Sequence, residues 1–282
     1  MVIKIVLAAI ALVYIMPLLI ILTNSFMAQG EINRHFGSVY DVLDYEFSGQ
    51  IHYAEYKLIP EQVSLGQYAA LLFKTPEYLE LFFNSIKLSL PIVLIQVAVG
   101  TAAAYGFTVW GSRFKEAIFC AYIVLMLLPT QATLVSNYII ADKLGILNTY
   151  LSIILPWGFN PFAVFVIRQS MKGLPFSVFE AAQIDGASHW QRFIYIALPL
   201  SKGGVASLAI LSFSDCWAMV EQPLVFLRDA NMAPLSVLLS QIGQENMGLI
   251  FAASVFYMMP VVWAFLYGQE YFEQGIKLSA LR

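Results

Sequence analysis

The apolar positions of this chain fall into long uninterrupted runs, not the short alternating or amphipathic patterns of a water-facing protein. No charged residue occurs between Lys4 and Glu31, and a helix crosses a bilayer with about 20 apolar residues, so this first run is a full span. Its apolar core exceeds the roughly 7–15 residues of a cleaved signal, and no clear small-x-small site follows, so the span is expected to stay uncleaved. Five further runs follow at residues 86–110, 117–141, 150–167, 203–220 and 248–267. Pro91, Pro129, Pro156, Pro161 and Pro260 lie within them. Each proline removes a helix hydrogen bond that lipid cannot replace, which favours a bundle packed around a pathway. The expected fold class is all-α integral membrane, with six transmembrane helices. Residues 1–26 form the first span, 27–84 a loop on the outer side, 85–275 the remaining membrane domain and 276–282 a tail.

Composition agrees with this pattern. The chain is 60% hydrophobic and only 12% charged, with a mean hydropathy of +0.73. A soluble domain carries about 25% charged residues, so much of this surface must face lipid. The net charge of −3 gives no electrostatic case for nucleic acid. Cys120 and Cys216 both sit inside apolar runs and read as packing residues without a metal-ligand spacing.

The basic residues set an orientation. With the N-terminus inside, the inner segments hold nine basic residues, from Lys4 through Arg113, Arg168 and Arg192 to Arg282, against five acidic ones. The rest of the chain holds six basic and thirteen acidic residues, so both termini are expected to be cytoplasmic. The acidic loop 27–84 contains Tyr40, Tyr45, Tyr53, Tyr56 and Tyr68 and is long enough to fold into short helices. A structured cap and a docking surface for an extracellular partner are both open readings of it.

Residues 168–202, between the fourth and fifth spans, carry the densest local signals. Ser177 with Glu180, and Ser188 with Gln191, have capping-box spacing, and Pro175 suits the start of a helix. Gly186 supplies the permissive backbone that ends one. The spacing predicts two short helices meeting at Gly186. An exposed short helix with apolar and acidic faces suits either a groove on a partner protein or the membrane surface.

Glu180-Ala181-Ala182, three residues, Gly186, nine residues, then Ile196-Ala197-Leu198-Pro199 resembles the EAA loop of ABC importer permeases. Asn84-Ser85, Ala104-Tyr105-Gly106-Phe107, Leu144 to Thr149, Pro161-Phe162 with Arg168-Gln169, Pro223 to Leu227, and Tyr271-Phe272 with Gly275 look like the maltose-type, multiple-sugar branch of that family. The resemblance implies a six-span permease for a solute, a saccharide in that branch, delivered by an extracellular binding protein. It also implies a related second permease and two ABC ATPase subunits, with all assembled in the bacterial or archaeal cell membrane. Glu180, Ala181, Ala182, Asp185 and Gly186 would then couple to the ATPase. No phosphate-binding G-x-x-x-x-G-K-[ST] loop occurs in the chain, so ATP and Mg would belong to that partner, with no cofactor on this chain.

No catalytic constellation is present in the sequence, and His35, His52 and His189 are scattered without metal-ligand spacing. Within the fifth run, Asp215 and Glu221 are ionisable groups at membrane depth, where such groups are costly and usually functional. With Trp217 and Gln222 they are the candidate substrate-pathway residues. The stretch departs from the sugar branch, because Ala218 and Met219 stand where that branch has polar residues. A non-sugar importer, an export-linked assembly and a gradient-driven transporter therefore remain alternatives. The tail also lacks the glycine-rich ending of the maltose type, and Lys277 and Arg282 could meet an acidic partner surface or only set topology.

Overall fold

The structure, a computed structural model, describes residues 2–36, 57, 59–110, 112–241 and 247–280, with residues 2, 36 and 272–280 described by their backbone alone. Tyr40, Tyr45, Tyr53, Tyr56 and Arg282 lie outside the described residues, as does His52. The fold is all-α as expected: among the described residues the sole β feature is an isolated antiparallel bridge between Met27 and Val63.

Four helical segments are long and apolar enough to cross a membrane: Ile3–Asn24, Glu77–Val109, Leu151–Met171 and Met247–Tyr271. Two bent helix pairs raise the number to six if each is counted as one span. The run at 117–141 is one of these. It is not a single straight helix but α5 (Lys115–Met126) and α6 (Thr130–Lys143), bent by 95°. Pro129 sits at the break: it has no N–H to donate to the preceding turn, and its own backbone is extended, with φ −63° and ψ 138°. The second pair joins residues 189–200, which end in the short α11 (Leu198–Leu200), to α12 (Lys202–Trp217) at 74°, with Ser201 at the break.

The chain divides into two compact units. The first comprises Met1–Phe83 and Pro234–Met259. In it α1 (Val2–Asn24) is exposed along most of its length, then turns into α2 (Gln29–Phe36). Buried Glu31 holds the returning loop by accepting the backbone N–H groups of Glu61 (2.8 Å) and Gln62 (3.1 Å). The short helices expected in this loop are present as α2 and α3 (Gly66–Ala69), the latter running into a π-helical turn at Ala70–Lys74. Met27 and Ile32 form the small core of this unit, packed by Met247 and Phe251.

The second unit, Asn84–Ala233 with Pro260–Arg282, holds the rest. α4 (Glu77–Val109) supplies Ala104 and Tyr105 to a core shared with Ala163, Ile167 and Met171 of α8 (Pro161–Lys172) and Leu208 of α12. α7 (Leu151–Gly158) precedes α8, and the two read as one span across the break at Asn160. Asn160 caps α8 by accepting the Phe162 N–H at 3.0 Å, with Pro161 at the first helical position, where its missing N–H costs nothing. Small residues let the helices approach: a Cβ on Gly100 would lie 2.8 Å from the Ala163 Cβ.

Candidate functional site

The loop between α8 and α12 folds as two short helices meeting at Gly186. α9 (Phe176–Ile184) begins after Pro175. The expected Ser177–Glu180 capping box does not form, because the helix starts two residues earlier, with Pro175 at the cap position, and Ser177 is already inside its first turn. At the other end the termination is complete. Gly186 adopts φ +80°, its N–H donates to the Gln183 carbonyl (3.1 Å), and the Ala187 N–H donates to the Ala182 carbonyl (2.9 Å). That pair of bonds satisfies the last carbonyls of α9, and it requires the left-handed conformation that glycine adopts without a Cβ penalty.

α10 (His189–Arg192) follows, and its capping box does form. Ser188 Oγ accepts the Gln191 N–H at 3.3 Å, and Gln191 Oε1 accepts the Ser188 N–H at 2.7 Å. Arg192, itself buried, ties the two short helices together by donating from Nη1 to Gln183 Oε1 at 2.9 Å.

The loop is pinned to the membrane helices at two points. Tyr105 of α4 donates its hydroxyl to the His189 carbonyl at 3.2 Å, and its ring lies 5.2 Å from Phe193 and 6.4 Å from Phe179. Arg168, at the end of α8 that enters the loop, is 1% exposed and pairs with Glu116 of α5. Phe179 is turned inward, so Glu180, Ala181, Ile184, Asp185 and Gly186 remain on the outer side of α9, with Ala182 half-buried. Of the residues singled out by the EAA resemblance, all but Ala182 thus lie on one exposed ridge, with Ala182 at its edge. Trp190 and Tyr195, which the sequence reading passed over, are exposed in the same loop.

The four pathway candidates separate. Asp215 lines a cavity of about 540 Å³, together with Gln96, Asn160, Phe162, Ser212 and Ser214. Gln222, on α13 (Glu221–Phe226), lines another of about 370 Å³ with Thr130, Thr133, Asn137, Asn160 and Phe162. Asn160 and Phe162 contribute to both. Trp217 lines neither; it is 1% exposed and packs against Phe213 at 5.3 Å. Glu221 is exposed and accepts from Gln131 Nε2 at 3.2 Å, outside both linings. Gln96, Asn137, Asn160 and Ser212 were not recognised from sequence, where their only signal was polarity inside an apolar run.

Away from the cavities, the loop of the first unit brings ligand atoms of Glu31, His35 and Glu61 within 4.8 Å of one another. Both carboxylates already have partners. Glu31 holds the loop backbone, and Glu61 pairs with Lys57, whose hydrogen bond keeps the Glu61 carboxyl below the usual carboxylate range.

Comparison with known proteins agrees with this architecture. Residues 96–278 match the family described as binding-protein-dependent transport system inner membrane component. An arabinooligosaccharides transport system permease protein of Halalkalibacterium halodurans is 28% identical over 98% of this chain and 94% of its own length. A probable ABC transporter permease protein of Pyrococcus horikoshii is 32% identical over 68% of this chain and 72% of its own length. Among solved structures, a bacterial ABC transporter involved in the import of the acidic polysaccharide alginate superposes with a TM-score of 0.78 at 19% identity, covering 96% of this chain and 95% of that one. With its apolar spans, its loop built around Glu180 and Gly186 and a family match over most of its membrane domain, the chain belongs to the inner membrane components of binding-protein-dependent transport systems.

Proposed function

We propose that this chain is the saccharide-translocating permease of an ATP-driven importer, driven through the ridge at Glu180, Ala181, Ala182, Asp185 and Gly186. The carrying observation is the mechanical continuity of the loop. α9 exposes that ridge on one side, while on the other Phe179 packs on Tyr105 of α4, Tyr105 also holds the His189 carbonyl, Arg192 joins the two short helices, and Arg168 ties the end of α8 to α5. A push on the ridge is therefore delivered to spanning helices, and polar cavities lie between those helices.

The push comes from closure of two partner ABC ATPases, which bind ATP and Mg; the chain itself supplies no hydrolytic chemistry. A homologous second permease completes the pathway, and an extracellular binding protein delivers the cargo. Both termini lie in the cytoplasm with the loop, as the distribution of basic residues indicates. The saccharide assignment is supported by the relative named for arabinooligosaccharides and the fold neighbour described as importing alginate. It also fits cavity walls that carry amide and hydroxyl groups, among them Asn137, Asn160, Ser212 and Gln222.

The test is a mild-detergent pull-down of the tagged chain from its native membranes, wild type against Gly186→Pro, with identification of retained proteins and assay of ATP hydrolysis. An ATPase retained by the wild type and lost or uncoupled in the variant supports the reading. Its absence under conditions that preserve other transporter complexes overturns it and favours a gradient-driven transporter. Ala218 and Met219, apolar where the sugar branch is polar, favour a second reading with a non-saccharide cargo. Uptake competition between neutral oligosaccharides and small polar solutes separates the two.

A further inference from the structure

The cavity of about 540 Å³ carries a single charged residue on its wall. Its size falls within the roughly 300–1,000 Å³ typical of ligand sites. Asp215 is the one charged residue among its lining residues, and none of them is basic. Around it stand Gln96, Asn160, Ser212 and Ser214, with Phe162 as an aromatic face.

Two of these groups are held in place by contacts of their own. Gln96 is 2% exposed and donates its amide to the Trp157 carbonyl at 2.7 Å. Asn160 is held by capping α8. Ser212 differs. It is 4% exposed, yet its Oγ has no hydrogen-bond partner among the described residues. A serine within a helix ordinarily bonds the carbonyl four residues back, as Ser207 does to Gly203 at 2.9 Å. A buried hydroxyl left unpaired costs free energy that an incoming hydroxyl would recover.

We propose that this cavity recognises neutral or amino-bearing sugar residues through Asp215 and Ser212 and excludes uronic acids. The proposal rests on the saccharide reading above. A sugar hydroxyl can donate to the Asp215 carboxylate and exchange a hydrogen bond with Ser212, while Phe162 offers an apolar face to a pyranose ring. A uronate carboxylate in the same place would meet Asp215 with no lining cation to offset it, and repulsion between like charges grows as water is excluded.

The test uses the whole complex purified through the tagged chain, with fluorescence anisotropy of an end-labelled neutral pentasaccharide and a pentauronate of equal length. The wild type is expected to bind the neutral compound at least about tenfold more tightly, a margin of the size set by a single close like-charge contact. Asp215→Asn should bring the two within about threefold by admitting the uronate, whereas Asp215→Glu should keep the discrimination. Ser212→Ala should weaken neutral binding severalfold without admitting the uronate. Size-exclusion profile and co-purification of the partner subunits show that each variant assembles. Equal binding of both compounds by the wild type, or discrimination unchanged in Asp215→Asn, overturns the charge filter and leaves the saccharide reading standing. Binding of neither compound by an assembled wild-type complex overturns the saccharide reading, and the filter with it.

Discussion

The guanidinium of Arg168 lies 3.7 Å from the centroid of the Phe119 ring, so a buried cation at the end of α8 is stacked on the side of α5. Glu116, one turn before Phe119, meets the same guanidinium at 2.5 Å. Charge and ring together fasten the helix that leads into the EAA-like loop to its neighbour. Replacing Arg168 by Ala should cost on the order of 2 kcal/mol from the lost cation–π contact alone. Arg168→Lys should recover only part, because an ammonium does not stack as a planar guanidinium does. Glu116→Gln should cost less than Arg168→Ala, because the amide oxygen can still accept from Arg168, though without the charge. Thermal unfolding of the three purified variants checks the order.

Tyr105 separates hydrogen bonding from packing at the other anchor. Tyr105→Phe removes the bond to the His189 carbonyl and should cost about 0.5–1.5 kcal/mol. Tyr105→Ala also vacates the space against Phe179 and Phe193 and should cost about 3–5 kcal/mol, in the range of core aromatic truncations. Hydrogen exchange at residues 188–193 should rise slightly in the first variant and strongly in the second. Equal protection in both would show that the anchor does not hold the loop.

Gly186 is open to a backbone test free of steric crowding, because no atom lies within 4 Å of where its Cβ would be. Its φ of +80° then sets the cost, about 1–2 kcal/mol for a residue with a Cβ. Gly186→Ala and Gly186→Asn should both assemble. Asn should be the milder, since it tolerates the left-handed region better. ATP hydrolysis coupled to uptake should follow that order.

Close packing of α4 on α8 predicts a size limit. Gly100→Val should destabilise the protein by about 1–3 kcal/mol, since even its Cβ meets Ala163 at 2.8 Å. Adding Ala163→Gly should restore part of the loss. A double variant no better than Gly100→Val would mean that the strain is relieved elsewhere.

Membrane class, helical architecture and the position of the coupling-type loop were legible in the chain itself, because each rests on residues close in sequence. Apolar run length decides whether a segment can span, and the Ser188–Gln191 box and Gly186 termination are closed by neighbours three to five residues away. The Ser177–Glu180 spacing was equally good and failed, since a two-residue change in where α9 starts moved Ser177 out of the capping position. The 95° bend at Pro129 was signalled by the proline, but its size was not. What faces what belongs to the tertiary structure alone. Asp215 and Gln222 separate into different cavities, Trp217 is buried away from both, and Tyr105 reaches the carbonyl of a residue 84 positions further on. Those relations depend on how each helix is rotated about its own axis. That rotation is set by packing contributed from distant parts of the chain, and no local pattern of residues specifies it.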